Sequence, residues 1–108
     1  MVEREYELEI KPQFQSSFQQ ILAYLLSTSY QSYERFKKDI APRIAQIEEN
    51  PLAFPPVKVL PTKRNIYRYA SFKKSYNIYY RIVGKKIMIL DIIHIKRDPN
   101  ALQSLRRI

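Results

Sequence analysis

The chain of 108 residues contains no cysteine, no tryptophan, one glycine and one histidine. Without cysteine it has neither a disulfide framework nor a thiolate metal site. A lone histidine, His94, excludes a multi-histidine metal centre as well, so neither a metal nor another cofactor is expected. No apolar run approaches the roughly 20 residues needed to span a bilayer. The opening MVEREYELEI carries four glutamates and lacks the basic-then-apolar order of a signal peptide. These absences describe a soluble chain suited to a reducing cytoplasm, with no membrane partner.

Acidic residues are also missing where it matters. Between Asn50 and Leu90 there is no Asp or Glu, while the segment holds Lys58, Lys63, Arg64, Arg68, Lys73, Lys74, Arg81, Lys85 and Lys86. The remainder carries ten basic and ten acidic residues, so the whole net charge of +9 sits in that one stretch. Tyr67, Tyr69, Tyr76, Tyr79 and Tyr80 lie there too. A basic, tyrosine-rich segment attracts a polyanion, either nucleic acid or an acidic protein. The plainer alternative is a solvated surface that binds no anion.

What is present orders itself into α+β elements. Residues 2–10 alternate, with Val2, Arg4, Tyr6, Leu8 and Ile10 on one side and Glu3, Glu5, Glu7 and Glu9 on the other, the mark of a half-buried strand. The glutamate face is either solvated or set beside the basic segment. Pro12 ends the strand. Phe14, Phe18, Ile21, Leu22 and Leu25 then recur at helical spacing. After a break at Ser27-Thr28-Ser29, a second stripe runs through Tyr30, Tyr33, Phe36, Ile40, Ile44 and Ile47. Two such helices with a short break predict a helical hairpin, kinked at Pro42. Asn50-Pro51 stops the second helix, and Pro55, Pro56 and Pro61 hold Ala53–Lys63 extended over the rest.

Three strands follow, Asn65–Ser71, Lys74–Val83 and Lys86–Ile95, with Gly84-Lys85 turning between the last two. The run Ile87-Met88-Ile89-Leu90, then Ile92-Ile93, predicts a central strand buried on both faces. Asp98-Pro99 opens a short C-terminal helix with Leu102 and Leu105 on its apolar side. The expected order is an N-terminal strand, a helical hairpin, a three-stranded antiparallel meander and the short helix. That gives one domain over 1–108, the hairpin packed on one face of the sheet.

The stretch NPLAFPPVKVLPTK, followed by YRYASFKKSYNIYYRI and ILDIIHIKRDPNAL, resembles the RelE/ParE superfamily of type II toxin–antitoxin toxins. The most specific pieces are Tyr76–Val83, the hydrophobic strand after the turn, and then His94, Arg97 and Asp98. The resemblance covers essentially the whole chain. It implies a toxin that arrests growth and is neutralised by a cognate antitoxin encoded beside it, whose acidic or amphipathic segment wraps the toxin. RelE-like members cleave mRNA on the ribosome with sheet Arg and Lys residues, whereas ParE-like members poison DNA gyrase without a known nuclease site. A strand arginine of the RelE-like toxins falls here on Asn77. Their two strand lysines fall near Arg68 and Ala70, and the arginine beyond the last strand is kept as Arg97. An aromatic in the C-terminal helix falls near Gln103. Two cationic positions survive and three positions depart.

Cleavage through the RNA 2′-hydroxyl needs a base, cations for the dianionic transition state, and an acid for the leaving 5′-oxygen. Period-2 alternation places Asn77, Tyr79 and Arg81 on one face, and Tyr76, Ile78, Tyr80 and Ile82 on the face under the helices. The nuclease reading makes His94, Arg97 and Arg81 catalytic. Arg68, Lys73, Lys74, Asn77 and Tyr79 bind RNA in this reading, with Tyr79 stacking on a base and Arg68 and Arg81 sharing one concave face. Each has a structural alternative. His94 is a hydrogen-bonding strand end, Lys73-Lys74 a solvated turn, the tyrosines good β-formers, and Arg97 a salt-bridge partner of Asp91 or Asp98. The main reading is ribosome-dependent mRNA cleavage; the alternative is a ParE-like, non-enzymatic poison of DNA gyrase, which the missing arginine at Asn77 favours.

Overall fold

A computed structural model describes residues 5–108. The chain forms β1 (Glu7–Ile10), α1 (Pro12–Thr28), α2 (Tyr30–Glu49), β2 (Tyr67–Phe72), β3 (Tyr76–Val83) and β4 (Lys86–His94). A short 3-10 turn, Pro51–Ala53, follows α2, and a 3-10 segment, Pro99–Arg107, follows β4. The sheet order is β1-β4-β3-β2, with β1 parallel to β4 and the other pairs antiparallel. The α+β order read from the sequence is therefore the observed one.

Local chemistry explains most boundaries. Pro12 opens α1 at a position where its missing N–H would have no partner in any case. The Ser29 side chain accepts the Ser32 N–H and so caps α2. Pro42 lies inside α2, which continues through it from Tyr30 to Glu49. Gly84, the chain's one glycine, takes a φ of +60° in the two-residue β3–β4 loop, where a Cβ would be strained. Of the strand expected over residues 2–10, residues 2–4 lie outside the described part, and only Glu7–Ile10 pairs with β4. Its glutamate face is not merely solvated. Glu9 bonds Lys86 at 2.6 Å and Lys11 at 2.7 Å, and those two ammonium groups hold its carboxyl down at about 2.

The sheet has a core on each side. Phe14, Leu22, Phe36, Ile44 and Ile47 of the hairpin pack on Ala70, Phe72, Ile78, Tyr80, Ile87, Ile89 and Ile92. On the opposite side Tyr67, Tyr79, Met88, Leu90 and Ile93 are covered by Val57 and Leu60 of the proline-rich segment and by Leu105 of the C-terminal segment. Leu102 and Ile108 pack against the same cluster. As the unbroken apolar run predicts, β4 is central and buried on both faces. Tyr30 departs from its expected stripe: it is exposed beside Tyr33, at the hairpin end.

A bulge shifts the β3–β4 register. Tyr79 pairs with Asp91 but Tyr80 pairs with Ile89, leaving Leu90 as the extra residue. The faces of β4 are thereby rephased, so Ile87, Ile89 and Ile92 all reach the helix side while Met88, Leu90 and Ile93 reach the other. Among the described residues no helix is long and apolar enough to cross a membrane.

Candidate functional site

The proline-rich segment is anchored by three side chains, one of which, Arg68, the sequence suggests for RNA. Arg68 donates to the carbonyls of Phe54 at 2.6 Å, Asn65 at 3.1 Å and Leu52 at 3.3 Å. The buried Tyr80 hydroxyl donates to the Pro51 carbonyl, and the Arg43 guanidinium lies 5.0 Å from the centre of the Phe54 ring. Main-chain bonds from Val57 N–H to Tyr67 C=O and from Tyr69 N–H to Pro55 C=O finish the attachment and cover the outer edge of β2.

Arg68 and Arg81 do not share a face. Strand register pairs Arg68 with Tyr80, whose side chain lies in the core under the helices, and pairs Arg81 with Tyr67, in the core on the other side. Directly paired residues point the same way. The single concave surface expected for these two arginines is therefore not formed.

Arg81 is committed to the C-terminal segment. It donates to the main-chain oxygen of Ile108 at 2.8 Å and to the Tyr67 hydroxyl at 3.3 Å, while its Nε is buried with no partner. Arg106 stacks on the same Tyr67 ring, 5.8 Å from its centre. Tyr79, expected to stack on a base, is only 6% exposed beneath this cover. Burial raises its phenol pKa, and its oxygen accepts a bond from the Asn77 amide at 3.2 Å. Asn77 is thus an internal partner of Tyr79 on that face.

His94 lies elsewhere. It pairs with Tyr76, and the two rings meet edge to face at 5.2 Å on the helix side of the sheet. Arg81 is five residues farther along β3 than Tyr76 and on the other face. At about 3.3 Å per residue this puts some 17 Å of strand between the two positions. Of the expected catalytic residues, His94 and Arg97 do come together, lining a pocket of about 290 Å³ with Gln13, Ser17 and Tyr76. Arg81 is not part of it. Among the described residues Arg97 makes no ion pair with Asp91 or Asp98, although its charge does favour the Asp91 carboxylate.

Asp91, the buried acidic residue beside that pocket, accepts the Ile92 N–H at 2.8 Å. Its pKa is raised by burial, against the opposing pull of Ser17, the Ile92 N–H, Arg97 and Gln13. A raised folded-state value means that the folded chain holds the proton more tightly than the unfolded one. The cost to stability is complete above the folded pKa and vanishes as pH falls below the unfolded value of about 3.9. Asp91→Asn, which keeps the acceptor oxygen, is expected to raise the melting temperature at pH 7 and to lose that advantage near pH 3.5. Equal melting temperatures at pH 7 would refute this account of Asp91.

Lys73 and Lys74 occupy the β2–β3 turn, both with left-handed backbones (φ 53° and 64°), which costs a non-glycine residue about 1 kcal/mol or more. Lys73 pairs with Asp39 of α2, whereas Lys74 is exposed without an ion pair among the described residues. The sequence did not point to Ser17 or Gln13; it set the proline-rich segment over the rest and gave the C-terminal segment an apolar side, but not the face of the sheet that they cover.

Comparison with known proteins agrees with this architecture. The family model described as the ParE toxin of the type II toxin–antitoxin system parDE matches residues 8–99. A chain of a solved structure, the chromosomal ParDE TA system from P. aeruginosa, superposes with a TM-score of 0.66 at 15% identity. The match covers 85% of this chain and 98% of that one; it speaks to the fold. No curated protein sequence matches. With a family model spanning most of its length, the chain belongs to the ParE toxin family of type II toxin–antitoxin systems.

Proposed function

We propose that this chain is a cytoplasmic toxin that arrests growth by binding DNA gyrase through a protein surface, as ParE-like toxins do, and that a cognate antitoxin neutralises it. The observation that carries the reading is the commitment of Arg81 and Tyr79 beneath the C-terminal segment, on the opposite face from His94. A phosphate could reach Arg81 only by displacing the bond to Ile108, and a base could reach Tyr79 only by opening an apolar core. Membership of the ParE family supports the same conclusion.

Two surface features suit protein partners. Tyr24, Leu26 and Tyr30 are exposed around the α1–α2 junction, the kind of aromatic and aliphatic surface found at interface centres. Lys58, Lys63, Arg64, Lys74 and Lys85 are exposed and make no ion pair among the described residues, which suits an acidic antitoxin segment. Only the shared pocket of His94 and Arg97 favours mRNA cleavage. That pocket lacks the third catalytic cation, Arg81.

The test is a cell-free translation reaction charged with purified toxin, with message ends mapped on the ribosome. The message is expected to remain intact. Cuts confined to the ribosomal A site would replace this reading with the ribosome-dependent nuclease.

A further inference from the structure

A second pocket, separate from the covered face, opens between the hairpin and the β2–β3 turn, with a volume of about 390 Å³. That lies within the range of small-molecule sites, about 300–1,000 Å³. Its polar lining comes from Arg35, Lys73, His94, Ser32 and Ser75. Every one of these side chains can donate a hydrogen bond. We propose that this pocket binds a nucleotide by its phosphate monoester, with the base against the aromatic wall.

Four observations carry the assignment. Among the described residues, the Arg35 guanidinium has no hydrogen bond or ion pair of its own, although it lies close enough to Asp39 to favour that carboxylate. Asp39 is also bonded to Lys73, so one carboxylate faces two cations and an anion is wanted to complete the set. His94 accepts the Lys96 N–H on Nδ1 at 3.0 Å. Its proton therefore sits on Nε2, which becomes a donor. Finally, Phe36 and Tyr76 pack edge to face at 5.3 Å and supply an apolar wall of the pocket.

Donors from two helical positions, a strand end and a tight turn suit a tetrahedral oxyanion better than a planar carboxylate. Arg35 offers a fork to two of its oxygens. The backbone strain at Lys73 and Lys74 fits the same picture, because this left-handed turn sets Lys73 at the pocket. The aromatic wall gives the site a reason to prefer a nucleotide over inorganic phosphate.

The phosphate has two sources, a free mononucleotide or the phosphorylated end of a nucleic-acid strand. Isotope-labelled protein is titrated with AMP, adenosine, inorganic phosphate and a short 5′-phosphorylated single strand, reading amide and imidazole signals. AMP is expected to shift His94, Ser32 and Ser75 with a Kd of about 1 mM or tighter. Adenosine and inorganic phosphate are each expected to bind about tenfold more weakly or worse. Arg35→Gln, at an exposed position, should weaken AMP binding by about tenfold, and His94→Gln is the second variant, which tests the pocket on a different element. Tighter binding of the strand than of AMP assigns the strand end as ligand, and equal or weaker binding assigns the free nucleotide. No pocket shifts with AMP, shifts spread over the whole basic surface, or unchanged AMP affinity in both variants would each overturn the proposal.

Discussion

Tyr80→Ala is expected to lower the unfolding free energy by about 3–5 kcal/mol, a large part of the 5–15 kcal/mol typical of a small protein. The ring of Tyr80 is fully buried in the core between hairpin and sheet, and Phe54 packs edge to face against it at 6.4 Å. Removing it empties the centre of the sheet where α2, β3 and the proline-rich segment meet. The hydroxyl has a separate job, because it donates to the Pro51 carbonyl as α2 ends. Tyr80→Phe retains the packing and deletes that bond, so its loss should be about 1–2 kcal/mol. Urea titrations of the two variants separate the terms. A Tyr80→Ala loss under 1 kcal/mol would mean that the central packing described for β3 is wrong.

Leu105→Ala should be the second large effect, but a local one. Leu105 is the fully buried side chain of its 3-10 segment, set against Tyr67, Tyr79 and Met88. The partly buried Leu102 and Ile108, Arg106 on the Tyr67 ring, the Arg81 bond to Ile108 and the Gln103 amide bond to the Val59 carbonyl at 3.0 Å add to its hold. Deleting the leucine side chain costs about 2–5 kcal/mol where the surroundings cannot collapse. Because the segment is terminal to the sheet, it can detach while β3 and β4 stay paired. Hydrogen exchange of its amides should speed up by about 100-fold, equivalent to about 2.7 kcal/mol, with the β4 amides much less affected. Unchanged exchange in the segment would show that Leu105 does not hold it down.

These two residues also mark what the sequence could disclose. Strand and helix positions followed from alternation and helical spacing, and the apolar run of β4 correctly announced a strand buried on both sides. Which residues share a surface depended on single-residue register. With a β2–β3 loop one residue shorter, Arg68 would pair with Tyr79 and lie on the face of Arg81; the observed three-residue loop turns it to the other side. Strict alternation along β4 would likewise put His94 on the face of Met88 and Leu90, which is also the face of Arg81. The bulge at Leu90 turns it toward Tyr76 and the hairpin instead.

The fate of Tyr79 was hidden for a different reason. Alternation correctly separated it from Tyr80, but the face it joins is not open to solvent. Val57 and Leu60 lie in the proline-rich segment before the three strands and Leu105 in the 3-10 segment after them, and no periodicity links them to the sheet. A second core built by loops leaves little trace in a linear pattern. The nuclease expectation rested on that face being free, and the gyrase alternative does not.

The proposed protein–protein encounter with gyrase is tested directly on the enzyme. Purified toxin is added to DNA gyrase with supercoiled plasmid, and covalently trapped cleavage complexes are counted after protein denaturation. Linear DNA is expected to accumulate with toxin dose, and Arg81→Ala protein, if folded by circular dichroism, is expected still to trap gyrase. Gyrase that supercoils and religates normally at saturating toxin would contradict it.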